Sequence, residues 1–222
     1  MNKPIRTMAI FAMIMFLALL ANVTYLQYFE SSDLNDSSLN RRVIVESFSR
    51  ERGAILVDRD PVAESKESGD EFKFQRTYSS PLAYAHLTGW FSYFSQSGIE
   101  KTQNAVLSGD DSRLFVTRLV DLVNNSSPKG GSVELTIDPE AQKAAFDGLN
   151  SLGDDVQGAV VALEPSTGKL LAMSSAPSFD PNRLASHDLD EVSKYDQELN
   201  ARKDEPKLNR ATQTTLPPGS TF

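Results

Sequence analysis

The segment GAVVALEPSTGKLLAMSSA, residues 158–176, consists of two apolar runs flanking Pro165-Ser166-Thr167-Gly168. Proline pre-sets φ for a turn, and glycine accepts positive φ without a Cβ clash. The pattern predicts a β-hairpin. Upstream, SVELTI (132–137) reads as a strand running into Asp138-Pro139-Glu140. Aspartate caps a helix, proline fits its first turn, and glutamate suits the positive end of the dipole. The helix that follows would align Ala141, Ala145, Leu149 and Leu152 on one face and end near Gly153. Downstream, 186–210 is charged and reads as helix and loop, and the chain closes with LPPGSTF, 216–222. The fold class expected is α+β.

Further out toward the N-terminus, NNSSPKGG (124–131) is a turn cluster and marks a domain boundary. Residues 110–124 place Leu114, Arg118/Leu119 and Leu122/Val123 at helical spacing. The aromatics Phe72, Phe74, Tyr78, Tyr84, Trp90, Phe91 and Tyr93 read as core rather than a base-stacking platform. The acidic stretch 62–71 reads as a loop. RRVIVESFSRERGAILVDRD (41–60) reads as extended pieces broken at Gly53 and Pro61. Residues 31–40 form a polar linker.

No residue from Thr7 to Phe29 carries a charge, and its centre reads MAIFAMIMFLALLA. A membrane-crossing helix needs roughly 20 apolar residues. Ala18 and Ala21 make a poor cleavage site, so an uncleaved signal anchor is expected. Lys3 and Arg6 precede the span, whereas Glu30 and Asp33 follow it. The positive-inside rule keeps the N-terminus cytoplasmic and the bulk outside the cell. The 222 residues include 30 acidic and 22 basic ones, a formal net charge of −8, which disfavours nucleic acid as a partner. There is no cysteine, so disulfides and thiolate metal sites are excluded.

Candidate chemistry is sparse. His86 and His187 are the only histidines and suggest no metal site; structural or exposed roles are expected. Ser220, after Pro217-Pro218-Gly219, would sit at a helix N-cap, where free N–H groups and the dipole favour an oxyanion. The pairs Asp110-Asp111 and Asp154-Asp155 read as helix-start and loop charges.

The segments RGAILVDRD, YAHLTGWFS, SGIE, VELTIDPEAQKAA, GAVVALEPSTGKLLAMSSAPSFDPN, LNRA and PPGSTF occur in one order behind a membrane anchor. That order resembles the class B penicillin-binding proteins, and within them the actinobacterial group. The resemblance covers nearly the whole chain. It implies a single transmembrane helix (1–29), an extended β-rich pedestal of dimerisation type (30–130), and an incomplete transpeptidase domain of β-lactamase-like fold (131–222). It implies a peptidoglycan D,D-transpeptidase of cell division or cell shape, with Ser220 as the acylated nucleophile. The substrate would be a peptidoglycan stem peptide, β-lactams would acylate the same serine, and a membrane-embedded glycan polymerase would be the partner. No cofactor or metal is implied.

In that family PPGSTF continues into a lysine, completing Ser-x-x-Lys. Three positions on is one helical turn, so the amine reaches the hydroxyl; burial keeps that amine neutral and basic. The sequence ends at Phe222, before that lysine and the Ser-x-Asn and Lys-Thr/Ser-Gly elements. Ser38-Leu39-Asn40 and Lys129-Gly130-Gly131 imitate those spellings, but in the linker and the boundary turn. The 222 residues alone are therefore expected to be inactive, with the 158–176 hairpin partly uncovered and the C-terminal third loose. Three functions remain open: part of a transpeptidase, a non-catalytic pedestal engaging cell-wall partners, or a related β-lactam sensor or β-lactamase, against which the pedestal motifs argue. Arg52, Asp58 and Arg59 are expected to shape the pedestal and Glu100 to brace it against the following domain. Asp60-Pro61 replaces the Asp-Gly turn common in the wider class.

Overall fold

The computed structural model describes residues 3–30, 41–111, 113, 129–153 and 155–215. The expected linker 31–40, most of the 110–124 helix, the turn residues 124–128, Asp154, and 216–222 with Ser220 lie outside the described residues. Two compact units are present, 1–44 and 45–222.

The first unit holds helix α1 (Lys3–Tyr28), 26 residues with a window of mean hydropathy 2.2 and no buried side chain. It is long and apolar enough to cross a membrane. Its threonine hydroxyls are satisfied within the helix: Thr7 and Thr24 donate to the carbonyls of Lys3 and Leu20 at 3.1 and 2.8 Å. A lipid environment, which supplies no partners, demands this.

The chain enters the second unit through α2 (Arg41–Phe48), where extended structure was expected. Tertiary packing overrides the β-branched composition there. Phe48 is 3% exposed and packs against the rings of Phe72, Phe91 and Tyr93. Next come β1 (Ile55–Val57), β2 (Asp60–Glu67) and β3 (Phe74–Tyr78), joined by antiparallel pairing. The expected acidic loop is therefore mostly strand: Val62 and Ala63 are buried while Glu67 faces solvent. Pro61 does not break the chain but pairs with Leu56 beside a register shift, a place where its missing donor is tolerated.

The β1–β2 turn is Asp58-Arg59, with φ of 49° and 71°. Positive φ at both central residues is the arrangement of a type I′ turn, which favours Asn-Gly. Replacing Asp58-Arg59 by Asn-Gly relieves left-handed strain of roughly 1–2 kcal/mol per residue, against up to about 1 kcal/mol of extra unfolded-state entropy at the new glycine. The expected result is a gain of about 0.5–1 kcal/mol in urea unfolding; unchanged or lowered stability would contradict this account of the turn.

After β3 come three short helices, α3 (Pro81–Thr88), α4 (Gly98–Thr102) and α5 (Asn104–Leu107). Strand β4 (Val133–Leu135) then pairs in parallel with β1, giving a sheet of order β3-β2-β1-β4. Asp138 caps α6 (Pro139–Asn150) by accepting from the Ala141 amide at 2.7 Å. Its buried face is Gln142 and Leu149, with Ala141 and Ala145 half-buried, whereas Leu152 is 70% exposed beyond the helix end. The expected hairpin is β5 (Gly158–Leu163) and β6 (Leu170–Ala176), turning at Gly168 with φ 74°. Short α7 (Pro181–Leu184), α8 (Leu189–Ala201) and α9 (Arg210–Gln213) follow.

The core does not respect the expected boundary. Ile55, Val57, Tyr78 and Leu107 share one cluster with Ile137, Met173 and Ala185. Among the described residues the C-terminal third is correspondingly tied down along β6, while β5 leaves Val160, Val161 and Leu163 exposed.

Candidate active site

Ser220, the nucleophile that the resemblance implies, lies outside the described residues, and the described elements that precede it in sequence are α9 and the loop before it. Ser220 follows Gln213, the last residue of α9, by seven positions. The loop before α9 is fastened on two sides. His86 of α3 sets Nε2 2.9 Å from the Pro206 carbonyl, while its own carbonyl accepts from Asn209 Nδ2 at 3.1 Å. On the other side, Ser175 of β6 donates to the Leu208 carbonyl at 3.3 Å and accepts from the Arg210 amide at 3.1 Å. Arg210 donates back to the carbonyls of Asp204 and Glu205 at 2.6 and 3.2 Å. A pocket of about 140 Å³ adjoins this loop, lined by His86, Trp90, Phe179, Lys207, Asn209 and Gln213 among others.

His86 has the buried structural role expected of it. A carbonyl partner obliges Nε2 to carry the proton. Burial, only partly offset by that hydrogen bond, lowers its pKa to about 4. Since the unfolded value is near 6.5, the unfolded chain takes up a proton between pH 6.5 and 4 that the folded chain refuses. The stability His86 contributes is thus fully present above about pH 6.5 and lost as pH falls toward 4, by about 3 kcal/mol at the limit. His86→Gln keeps a donor for Pro206 without titrating. Urea unfolding from pH 7 to 4 should show a shallower loss for this variant than for the parent, and parallel curves would refute the assignment.

His187 bonds the Asp70 carboxylate and packs between Phe48 and Phe72. No group of three or more metal-ligating side chains occurs among the described residues. Lys129-Gly130-Gly131 lies against the pedestal, with Lys129 paired to Glu51 at 2.7 Å, and surrounds no cleft. Asp110 pairs with Arg50, and Asp111 with Arg113. Asp58 and Arg59 are exposed at the hairpin tip.

Glu100 is fully buried, and among the described residues its carboxylate partners lie between Arg52 and Tyr78 rather than in the following domain against which it was expected to brace. Its carboxylate accepts from Arg52 Nε at 2.6 Å, Arg76 Nε at 2.7 Å and the Tyr78 hydroxyl at 3.3 Å. Burial and the neighbouring Glu100 charge push the Tyr78 phenol well above its ordinary pKa, so it remains a donor. Arg52 also reaches the Glu100 carbonyl and Asn104, and Arg76 reaches the Gly53 carbonyl.

The sequence reading singled out Arg52 and Glu100 but missed Arg76 and two amides that join the expected domains. Gln142 of α6 donates to the carbonyls of Ala83 and Met173 and accepts from the Met173 amide, at 2.7–2.9 Å. Asn182 treats Tyr78 as a strand neighbour would, accepting from its amide at 2.8 Å and donating to its carbonyl at 3.0 Å. The signal was in SFDPN: Asp180 caps α7 and leaves Asn182 free to turn toward β3.

Comparison with known proteins places this geometry. Residues 52–133 match the family described as the penicillin binding protein A dimerisation domain, and 158–222 match the penicillin binding protein transpeptidase domain. The peptidoglycan D,D-transpeptidase PbpA of Mycolicibacterium smegmatis is 44% identical across the whole chain, and that of Mycobacterium tuberculosis 40%. The chain spans 46% of the length of each of these relatives. Among solved structures, penicillin-binding protein A from M. tuberculosis as an imipenem acyl-enzyme superposes with a TM-score of 0.77 at 42% identity, covering 80% of this chain and 41% of that one.

Proposed function

Because the chain belongs to the penicillin-binding proteins, we propose that it supplies the anchor (1–29), pedestal (30–130) and serine-bearing opening (131–222) of a peptidoglycan D,D-transpeptidase. The observation that carries this reading is the match of 158–222, Ser220 included, to the transpeptidase domain of a family whose solved members form β-lactam acyl-enzymes. The Ser220 oxygen would bond to the carbonyl carbon of the stem peptide's penultimate D-alanine as the bond to the terminal D-alanine breaks. The serine proton passes through the family's lysine to the departing amine, and a second strand's amine then takes the acyl group. Opening a lactam ring follows the same path without a departing fragment. Lys3 and Arg6 set the N-terminus in the cytoplasm and the bulk outside, facing stem peptides and a glycan polymerase.

The second reading, a non-catalytic pedestal, is favoured by the Arg52–Glu100–Arg76 network, whose three members all lie between residues 52 and 100.

Fluorescent penicillin separates the two. A polypeptide of these 222 residues is expected to form no covalent adduct, for want of a base beside the hydroxyl and a walled cleft. A chimera continued after Phe222 with the matching half of the 44%-identical relative is expected to label, and Ser220→Ala to abolish labelling. An adduct on the 222 residues would overturn the predicted inactivity; a folded chimera that never labels would overturn the role of Ser220.

A further inference from the structure

Groups that the fold leaves unspent converge on the pocket of about 140 Å³ beside the loop before α9. Ser97 is the N-cap residue of α4, yet its hydroxyl caps nothing and has no partner among the described residues. Gln213 of α9 accepts from the Asn209 amide through Oε1 at 3.2 Å, while its Nε2 donor has no partner among the described residues. Trp90 lines the same pocket half-buried. Its indole N–H is already given to Ser95 at 2.9 Å, so its remaining capacity is ring surface. Lys207 lies 5.5 Å from the centre of that ring, but Asp196 meets its ammonium at 2.8 Å and balances the charge.

These features define a ligand. The volume is close to the roughly 150 Å³ that accommodates benzene, so one six-membered ring fits. Aromatic surface favours an apolar face on that ring. A hydroxyl that both donates and accepts, together with an amide N–H, favours polar groups around the ring's edge. The balanced charge of Lys207 favours a neutral molecule. A pyranose combines an apolar C–H face with an edge of hydroxyls. We propose that this pocket binds one neutral pyranose ring of a saccharide, with Trp90 against the ring and Ser97 and Gln213 bonded to its edge. The site goes beyond acyl transfer and does not involve Ser220. Its walls are held without ligand: Asn209 donates to the His86 carbonyl at 3.1 Å, Arg210 donates to Gln157 at 3.2 Å, and Ala211 packs on the core. A preformed pocket spares the ordering cost of binding.

Trp90 is the only tryptophan of the 222 residues, so its fluorescence reports this pocket alone. The test titrates the full chain, in a detergent without a sugar headgroup, with the methyl β-glycosides of glucose, galactose and N-acetylglucosamine. At least one should change the emission saturably with a Kd of about 1–10 mM, the range for a ligand of about a dozen non-hydrogen atoms. Sorbitol, an open-chain polyol, and acetate, a small anion, should give no saturable change. Gln213→Glu keeps the acceptor for the Asn209 amide but removes the spare donor. It should weaken binding at least about fivefold with an unchanged circular dichroism spectrum. Ser97→Leu fills the pocket without removing a cap and should abolish the response. A linear trisaccharide of the sugar that binds separates two sources: matching affinity assigns the end of a glycan strand, and lost affinity a free monosaccharide. Absence of saturation with all three glycosides would overturn the proposal, as would an equal response to sorbitol or acetate, or parental affinity in both variants.

Discussion

Replacing Glu100 by glutamine is expected to lower the stability of the 45–222 unit by about 3–5 kcal/mol, because two buried guanidinium groups then lose the one anion that pairs with them among the described residues. Arg52 and Arg76 are 3% and 1% exposed, and the carboxylate between them 0%. Glutamine keeps the shape and one acceptor oxygen, so the loss isolates charge rather than volume. The Tyr78 hydroxyl, which accepts from the Phe91 amide, donates to the same carboxylate oxygen as Arg76 Nε, so a glutamine oxygen placed there keeps both donors satisfied but turns the amide NH2 against Arg52 Nε. Removing the whole set should be gentler. Arg52→Met, Arg76→Met and Glu100→Leu together eliminate the ions and their desolvation, and the triple variant should be more stable than Glu100→Gln alone. Urea unfolding of the three proteins provides the check. A Glu100→Gln loss below about 1 kcal/mol would mean that the carboxylate does not neutralise its neighbours as the distances imply.

The second large effect is steric. Gly130→Ala would place a Cβ 1.8 Å from the Leu107 carbonyl oxygen and 2.3 Å from the Gly53 nitrogen. Gly53→Ala would meet the Gly131 carbonyl oxygen at 2.0 Å. Three backbone segments converge there: the Gly53 amide bonds the Leu107 carbonyl, the Gly130 amide bonds Glu51, and the Gly131 amide bonds Val106, each at 2.9 Å. No flexible side-chain tip is available to yield, so the segments themselves must part, breaking those bonds. Each substitution is expected to destabilise by more than about 4 kcal/mol or to prevent folding. Gly69→Ala, with nothing within 4 Å of the added carbon, is the control and should fall within about 0.5 kcal/mol of the parent. A soluble, parent-like Gly130→Ala protein would contradict this convergence.

The same three segments explain why the turn at 124–131 read as a boundary. Glycine pairs mark turns in most chains, but Gly130 is small here because the Leu107 carbonyl and the Gly53 amide nitrogen fill the space that its Cβ would take. A one-dimensional reading cannot distinguish a glycine needed for φ from one needed for proximity. For the same reason 41–48 was misread: propensity favoured extended chain, whereas burial of Phe48 in an aromatic cluster favours helix. Arg76 was overlooked because its partners, Gly53 and Glu100, lie 23 and 24 positions away.

What the amino-acid order determined unaided was local: the apolar run of α1, the Asp138 cap of α6, the hairpin at 158–176, and the order of motifs that identifies the family. The first three depend on residues within a turn or two of one another, where periodicity and turn chemistry act directly, whereas the motif order is simply read along the whole chain. Tertiary structure alone decided that Glu100 neutralises two arginines, that Gln142 and Asn182 join the residues on either side of the 124–131 turn, and that His86 holds the loop before α9. Those contacts close long loops between groups that show no mutual signal along the chain. Only burial, by making an unpaired charge or amide expensive, requires that they meet.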